Sequence, residues 1–245
     1  MYVKKVPRFM SEYGFQAFPE ITTVEKFTFP EDRFLYSEVM KSHQKHPVGY
    51  ETIQKYIERD FVISNDFNEY IKTSQSLQAY GIKKAIEAQR RAKPYCMGTL
   101  FWQLNDCWPG VTWSAIDYYG NLKLLQYVIS KCYDKILISP AIEDSLLKVF
   151  IISDKLTNTD GALYLNLRNT ITEETVFYKE IKNDIPENSS KIYFQTELNS
   201  LIGNMNKDEL ILECKYISSD NSEEYNNNLI FVKPKEYKGY LNQDK

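Results

Sequence analysis

The chain is poor in histidine and cysteine, with two of the first and four of the second in 245 residues. Cys96, Cys107, Cys132 and Cys214 form no CxxC pair and no zinc-ribbon spacing, which argues against a zinc site and leaves scattered buried thiols as the expectation. His43 and His46 make an HxxH spacing, but Pro47 follows and no third ligand stands nearby. Loop ordering is their expected role, and neither a metal nor an organic cofactor is called for. A charge excess is missing too. The 30 Lys and Arg oppose 33 Asp and Glu and leave -3, which argues against nucleic-acid and anionic-membrane partners. No apolar run approaches the ~20 residues of a membrane span. Lys4, Lys5 and Arg8 open the chain, yet Pro7 and an alternating run follow where a signal peptide would place its apolar segment. The N-terminus therefore names no compartment.

What is present is apolar and aromatic: 43% hydrophobic residues, with 19 Tyr, 13 Phe and 3 Trp. That composition suits ordinary cores and sugar-stacking surfaces alike. The length allows one large domain or two ordinary ones. Two regimes are visible, changing between Cys132 and Ser145.

The first regime mixes strand and helix periods. Arg8 to Glu12 alternates as a strand, with Arg8, Met10 and Glu12 on one face, and breaks at Tyr13-Gly14. A strand that climbs to a carboxylate and then turns is how a barrel delivers an acid to its rim. Phe18 to Ser64 reads as a long connection with Pro19, Pro30 and Pro47, containing a short helix near Pro30 to Ser42. Asn65 or Asp66 caps a helix running to about Lys93, with Ile71, Ser74, Leu77, Gln78, Gly81, Ala85 and Ala88 inward and Glu87 and Arg90 solvated. Pro94 ends it. Cys96 to Leu104 then reads as a strand buried on both faces, reached by a parallel crossover, and Leu122 to Cys132 as an amphipathic helix.

The second regime holds seven strand candidates separated by turns: 135–142, 146–153, 162–169, 175–182, 191–198, 209–217 and 227–232. This pattern predicts an antiparallel β-sandwich of immunoglobulin type. Asn188-Ser189-Ser190 is a glycosylation sequon that its surroundings explain as a turn.

Chemistry concentrates in two stretches. One is Arg8 to Phe18, where Glu12 is the candidate nucleophile. The other is Gly98 to Tyr119, where Trp102, Trp108 and Trp113 stand with amides at a strand end, as a sugar pocket requires. Asp106 reads as a loop-positioning residue and Asp117 as a helix cap.

Together, RFMSEYGFQAFPE and GTLFWQLNDCWPGVTWSAIDYYGNLKLLQY resemble the family 2 glycoside hydrolases, most closely their β-mannosidase branch. IKKAIEAQRRAKPYCMG, KSHQKHP, the NSSK turn at Asn188 and FVKPK near the end fit the same branch. The resemblance implies the last two strands and helices of a TIM barrel over residues 1–134, followed by an immunoglobulin-like sandwich over 135–245. It implies removal of a terminal non-reducing β-mannose through a covalent glycosyl-enzyme, on a β-mannoside or manno-oligosaccharide substrate. Glu12 matches the attacking carboxylate, Trp102 an aromatic wall of the sugar subsite, and Gln103 and Asn105 lie where pocket hydrogen bonds belong. A retaining mechanism needs a second carboxyl only ~5 to 5.5 Å from the first. In the family that acid/base Glu follows an Asn on an earlier barrel strand, whereas the early Asn-Glu pair here, Asn68-Glu69, lies after the nucleophile and inside the expected helix start, so it is not that residue. The expectation is a C-terminal portion that needs the remaining N-terminal part and is inactive alone. Other family 2 activities, such as β-galactosidase, β-glucuronidase or exo-glucosaminidase, are the alternatives within the class. A non-catalytic carbohydrate-binding or interaction module is the alternative outside it. Periplasm, secretion and lysosome all suit the family.

Overall fold

Helices occupy the first part of the chain and antiparallel strands the second in the computed structural model, which describes residues 3 and 5–240. Lys4, and residues 241–245 of the second expected domain, lie outside the described residues. The chain divides into two compact units, Met1–Gln89 with Cys96–Cys132, and Arg90–Tyr95 with Tyr133–Lys245.

The first unit is built on three helices: α1 Gly49–Asp60, α2 Phe67–Arg91 and α3 Leu124–Cys132. α2 starts where its cap predicts, with the Asp66 carboxylate accepting the Glu69 backbone N–H at 2.9 Å. Its inward stripe recurs at helical spacing, and Ile71, Leu77, Ile82 and Ile86 are buried. Glu87 and Arg90, expected in solvent, are buried instead. Glu87 keeps its charge partner one turn away in Lys83, at 2.8 Å. α1 lies inside the stretch read as a connection. Tyr50, Ile53 and Ile57 form a buried stripe on it, and the polar residues between them face outward, so high average polarity concealed an amphipathic helix. The stretch 30–42 holds a 3-10 turn, Pro30–Asp32, and a short helix, Glu38–Ser42, capped by the Ser37 hydroxyl. Two apolar clusters result. One gathers Phe18, Tyr50, Ile53, Ile57 and Ile71, and the other Tyr13, Ile82, Ile86, Leu125 and Ile129.

The second unit carries all seven strands near their expected places: β1 Ile136–Glu143, β2 Leu146–Ser153, β3 Thr159–Asn169, β4 Thr175–Ile185, β5 Ser190–Glu197, β6 Leu210–Ser218 and β7 Glu224–Ile230. They form two antiparallel sheets, ordered β1-β2-β5 and β4-β3-β6-β7. Alternation sends Leu147, Val149 and Ile151 from one sheet and Leu163, Leu165, Leu167, Leu210 and Leu212 from the other into one core. The β1–β2 hairpin turns on Asp144 and Ser145, both at positive φ, as a two-residue loop between right-twisted strands requires. Pro140 sits in β1, an edge strand, where its missing N–H costs no ladder bond. Asn227 on β7 donates its amide to the Ile138 carbonyl on β1 at 2.7 Å, tying the sheets together. Asn188, at φ 43°, sits in the turn expected there.

Candidate active site

Residues 8–13 and 97–102 run parallel in the first unit, held by four backbone hydrogen bonds. Met97 N donates to Arg8 O, Met10 N to Gly98 O, Leu100 N to Met10 O, and Trp102 N to Tyr13 O, at 2.7–3.0 Å. A regular parallel ladder would next pair Trp102 N with Glu12 O. The bond falls on Tyr13 instead, so the register slips by one residue at Glu12-Tyr13. A second slip precedes Met10, where Met97 and not Gly98 bonds Arg8. The two segments are therefore extended and parallel, as expected of their crossover, but they join as a single bridge at Met10 and Thr99 and not as full strands.

These slips also correct two expectations. Met10 packs against the apolar cluster while Arg8 and Glu12 are exposed, so the three do not share an environment. Met97, Leu100, Trp102 and Leu104 are each about half exposed, so the 96–104 segment is not buried on both faces.

Gly14 and Trp102 bring the two segments into close approach. A Cβ on Gly14 would stand 2.1 Å from the Trp102 carbonyl oxygen, so only glycine allows this contact. The Trp102–Gln103 peptide is cis. Trp102 is 48% exposed, and Glu12 is exposed on the neighbouring segment. The Gln103 amide donates to Asn105 O at 2.8 Å and to Asp106 Oδ1 at 3.4 Å. Asn105 is exposed, and its backbone bridges Ile116 in parallel.

Asp106 positions the loop as expected. It is buried, accepts the Ser114 hydroxyl at 2.7 Å, and has its carboxyl pKa raised by burial against the pull of Thr112 and Ser114. Asp117 departs from expectation because it organises a turn, not a helix start. Its carboxylate accepts the Tyr119 and Asn121 backbone N–H groups, both at 3.0 Å, and the Thr23 hydroxyl at 2.5 Å. The first N–H of α3, from Leu124, goes to the side-chain carbonyl of Gln75 on α2 at 3.1 Å.

Two supporting roles escaped the sequence reading, which placed Gln78 only in the inward stripe of its helix and did not single out Lys123. Gln78 is fully buried on α2, and its amide donates to the carbonyls of Phe15 at 3.0 Å and Trp113 at 3.1 Å, joining both stretches to one helix. Lys123 is fully buried, and its ammonium donates to Ala17 O at 3.2 Å. Burial pushes its pKa down to about 7 despite Asp106, Asp117 and Glu20 nearby. The available signal was a lone lysine between Leu122 and Leu124, at the start of the expected helix.

The histidines order the rim. His43 is stacked between Phe27 and Trp108, with ring centroids 3.9 and 4.9 Å away, and donates from Nδ1 to Pro109 O at 2.7 Å. His46 meets Trp113 edge-on. Among the described residues, no group of three or more His, Cys, Asp or Glu side chains is placed to hold a metal. Cys96, Cys132 and Cys214 are buried thiols, while Cys107 is exposed, contrary to expectation, on the loop after Asp106.

Residues 145–236 match a family model described as a Mannosidase Ig/CBM-like domain. β-Mannosidase B of Aspergillus niger is 34% identical over 128 residues, which are 51% of this chain and 15% of that protein. β-Mannosidase A of Emericella nidulans is 28% identical over 216 residues, 77% of this chain and 23% of that protein. The chain thus spans less than a quarter of the length of these relatives. The crystal structure of a β-D-mannosidase from Dictyoglomus thermophilum superposes with a TM-score of 0.88 at 32% identity, covering 96% of this chain and 28% of that one. An exo-chitosanase from Amycolatopsis orientalis, 13% identical, shares the fold at a TM-score of 0.76 over 91% of this chain and 27% of its own. By sequence and by fold together, the chain is β-mannosidase-like, similar to the C-terminal region of the β-mannosidases of glycoside hydrolase family 2.

Proposed function

We propose that these 245 residues form part of a retaining exo-β-mannosidase in which Glu12 is the nucleophile. The observation that carries this reading is the register slip at Glu12-Tyr13. It leaves an exposed carboxylate next to the Trp102 segment, with Gly14 seated on the Trp102 carbonyl. Bulges of this kind re-aim side chains beside active sites. The Glu12 carboxylate attacks the anomeric carbon, the aglycone oxygen leaves with a proton, and water later cleaves the glycosyl ester. The Trp102 ring stacks on the apolar face of the mannose, and Gln103 and Asn105 bond its hydroxyls. Asp106 and Gln78 hold this wall's segment in place, and Lys123 anchors the Glu12 stretch at Ala17.

In this reading the first unit contributes the last two strands and helices of a TIM barrel, within residues 1–134. The second, within 135–245, is an immunoglobulin-like sandwich. The proton donor is a second carboxyl, supplied by an Asn-Glu strand of an N-terminal part of the enzyme. The 245 residues taken by themselves therefore hydrolyse no aryl β-mannoside.

The test is aryl β-mannoside hydrolysis by the protein at its natural length. Glu12→Gln is expected to lower kcat by at least about a thousandfold. Unchanged turnover rejects Glu12 as nucleophile. A panel of aryl β-galactoside, β-glucuronide and β-glucosaminide separates the mannosidase reading from other family 2 activities.

A further inference from the structure

On the second unit, the outer face of β4-β3-β6 carries an open groove with a volume of about 370 Å³. The core takes Leu163, Leu165 and Leu167 of β3, so Asp160, Ala162 and Tyr164 face outward. Ala162 forms a low floor. Its register partners are Lys182 on β4 and Ile217 on β6, and both line the groove. Asp160 stands directly opposite Asp184. Like charges facing each other across a ladder are destabilising, and no ion pair with Asp160, Lys182 or Asp184 occurs among the described residues. Two other cross-strand contacts of this sheet are mated, Arg168 with Glu213 and Lys215 with Glu224.

We propose that this groove is a second saccharide site, binding a neutral oligosaccharide across Asp160, Tyr164, Lys182 and Asp184. Its polar groups alternate in kind. Glu180, Lys182 and Asp184 follow one another along the outer face of β4, so acceptors flank a donor. A bound cation would face the Lys182 ammonium, and a bound anion three carboxylates. A sugar hydroxyl both donates and accepts, and satisfies the mixture. The Tyr164 ring supplies the apolar surface that a pyranose face needs. The rim is built in advance: Asn221, at φ 57°, sits in a turn whose Asp220 carboxylate accepts the Ser218 hydroxyl at 2.6 Å and the Ser222 N–H at 3.0 Å. These bonds hold the Asp220 carboxyl at about 2. Every group belongs to the second unit, so this site does not rest on the role of Glu12.

Calorimetric titration of the full chain with β-1,4-mannotriose tests the proposal. Saturable binding is expected in the wild type, and a groove-bound component is expected to remain when Glu12→Gln and Trp102→Ala together disable the first-unit subsite. Tyr164→Ala, and separately Asp160→Asn with Asp184→Asn, are expected to weaken it at least tenfold with circular dichroism unchanged. The paired amide variant removes charge at exposed positions, so it reads the site even if Tyr164→Ala disturbs the sheet. Absence of binding overturns the proposal, as does binding abolished by Trp102→Ala but indifferent to the groove variants. Calcium binding in place of saccharide overturns it equally.

Discussion

Gly14 carries the tightest constraint near the candidate site, because the atom a methyl group would strike is the Trp102 backbone oxygen, which cannot swing aside. Gly14→Ala must therefore separate the Glu12 segment from the Trp102 segment. An overpacking loss of about 1–3 kcal/mol is expected in urea unfolding, and an unchanged midpoint would contradict the close approach. Lys123 makes a different residue-scale prediction. Its folded pKa is about 7 against an ordinary 10.5, and Asp106, Asp117 and Glu20 are the charges that act on it. Below pH 7 both folded and unfolded chains hold the proton, and the fold bears the whole cost of burying it. Between pH 7 and about 10.5 the unfolded chain keeps the proton while the fold releases it, so that cost falls as pH rises. Wild type is expected to gain stability relative to Lys123→Met from pH 7 to pH 10 in denaturant titrations. A constant difference across that range would reject the buried-lysine account.

At the scale of elements, local chemistry sets the ends and tertiary contact sets the middles. Asp66→Ala removes the side-chain acceptor at the start of α2 and is expected to cost about 1 kcal/mol, read from the unfolding midpoint. That cap was legible in the sequence, as were the seven strands of the second unit, because a two-residue period with turn residues between is local information. Gly81 on α2 was legible only as part of a small-residue stripe. Its reason is the Phe15 ring, whose nearest atom would lie 2.4 Å from an added Cβ. α1 was missed because its stripe of Tyr50, Ile53 and Ile57 was averaged into a polar stretch between prolines. The segment 96–104 was misread because continuous apolarity marks a strand buried on both faces only if something covers both. Here Leu100 and Leu104 stay more than half exposed.

At the scale of the molecule, that exposure has a consequence. Phe9, Met97, Leu100, Trp102 and Leu104 present apolar surface from the two parallel segments of the first unit. Exposed apolar surface of this kind drives association. The 245 residues are expected to self-associate with rising concentration in light scattering coupled to size exclusion, and Leu100→Ser with Leu104→Ser to reduce it. A monomer at all concentrations would contradict this. The sequence by itself determined the strand alternation, the caps and turns, and the family to which the two long motifs point, since each depends on residues near one another in the chain. Only the tertiary structure decided where the register slips at Glu12. It also decided that Gln78 reaches the Phe15 and Trp113 carbonyls and Lys123 the Ala17 carbonyl from distant positions, and that Asp160 faces Asp184 beside Lys182. Those facts depend on which segments meet and in what register, and pairing across more than twenty residues leaves no periodic trace in the residues it joins.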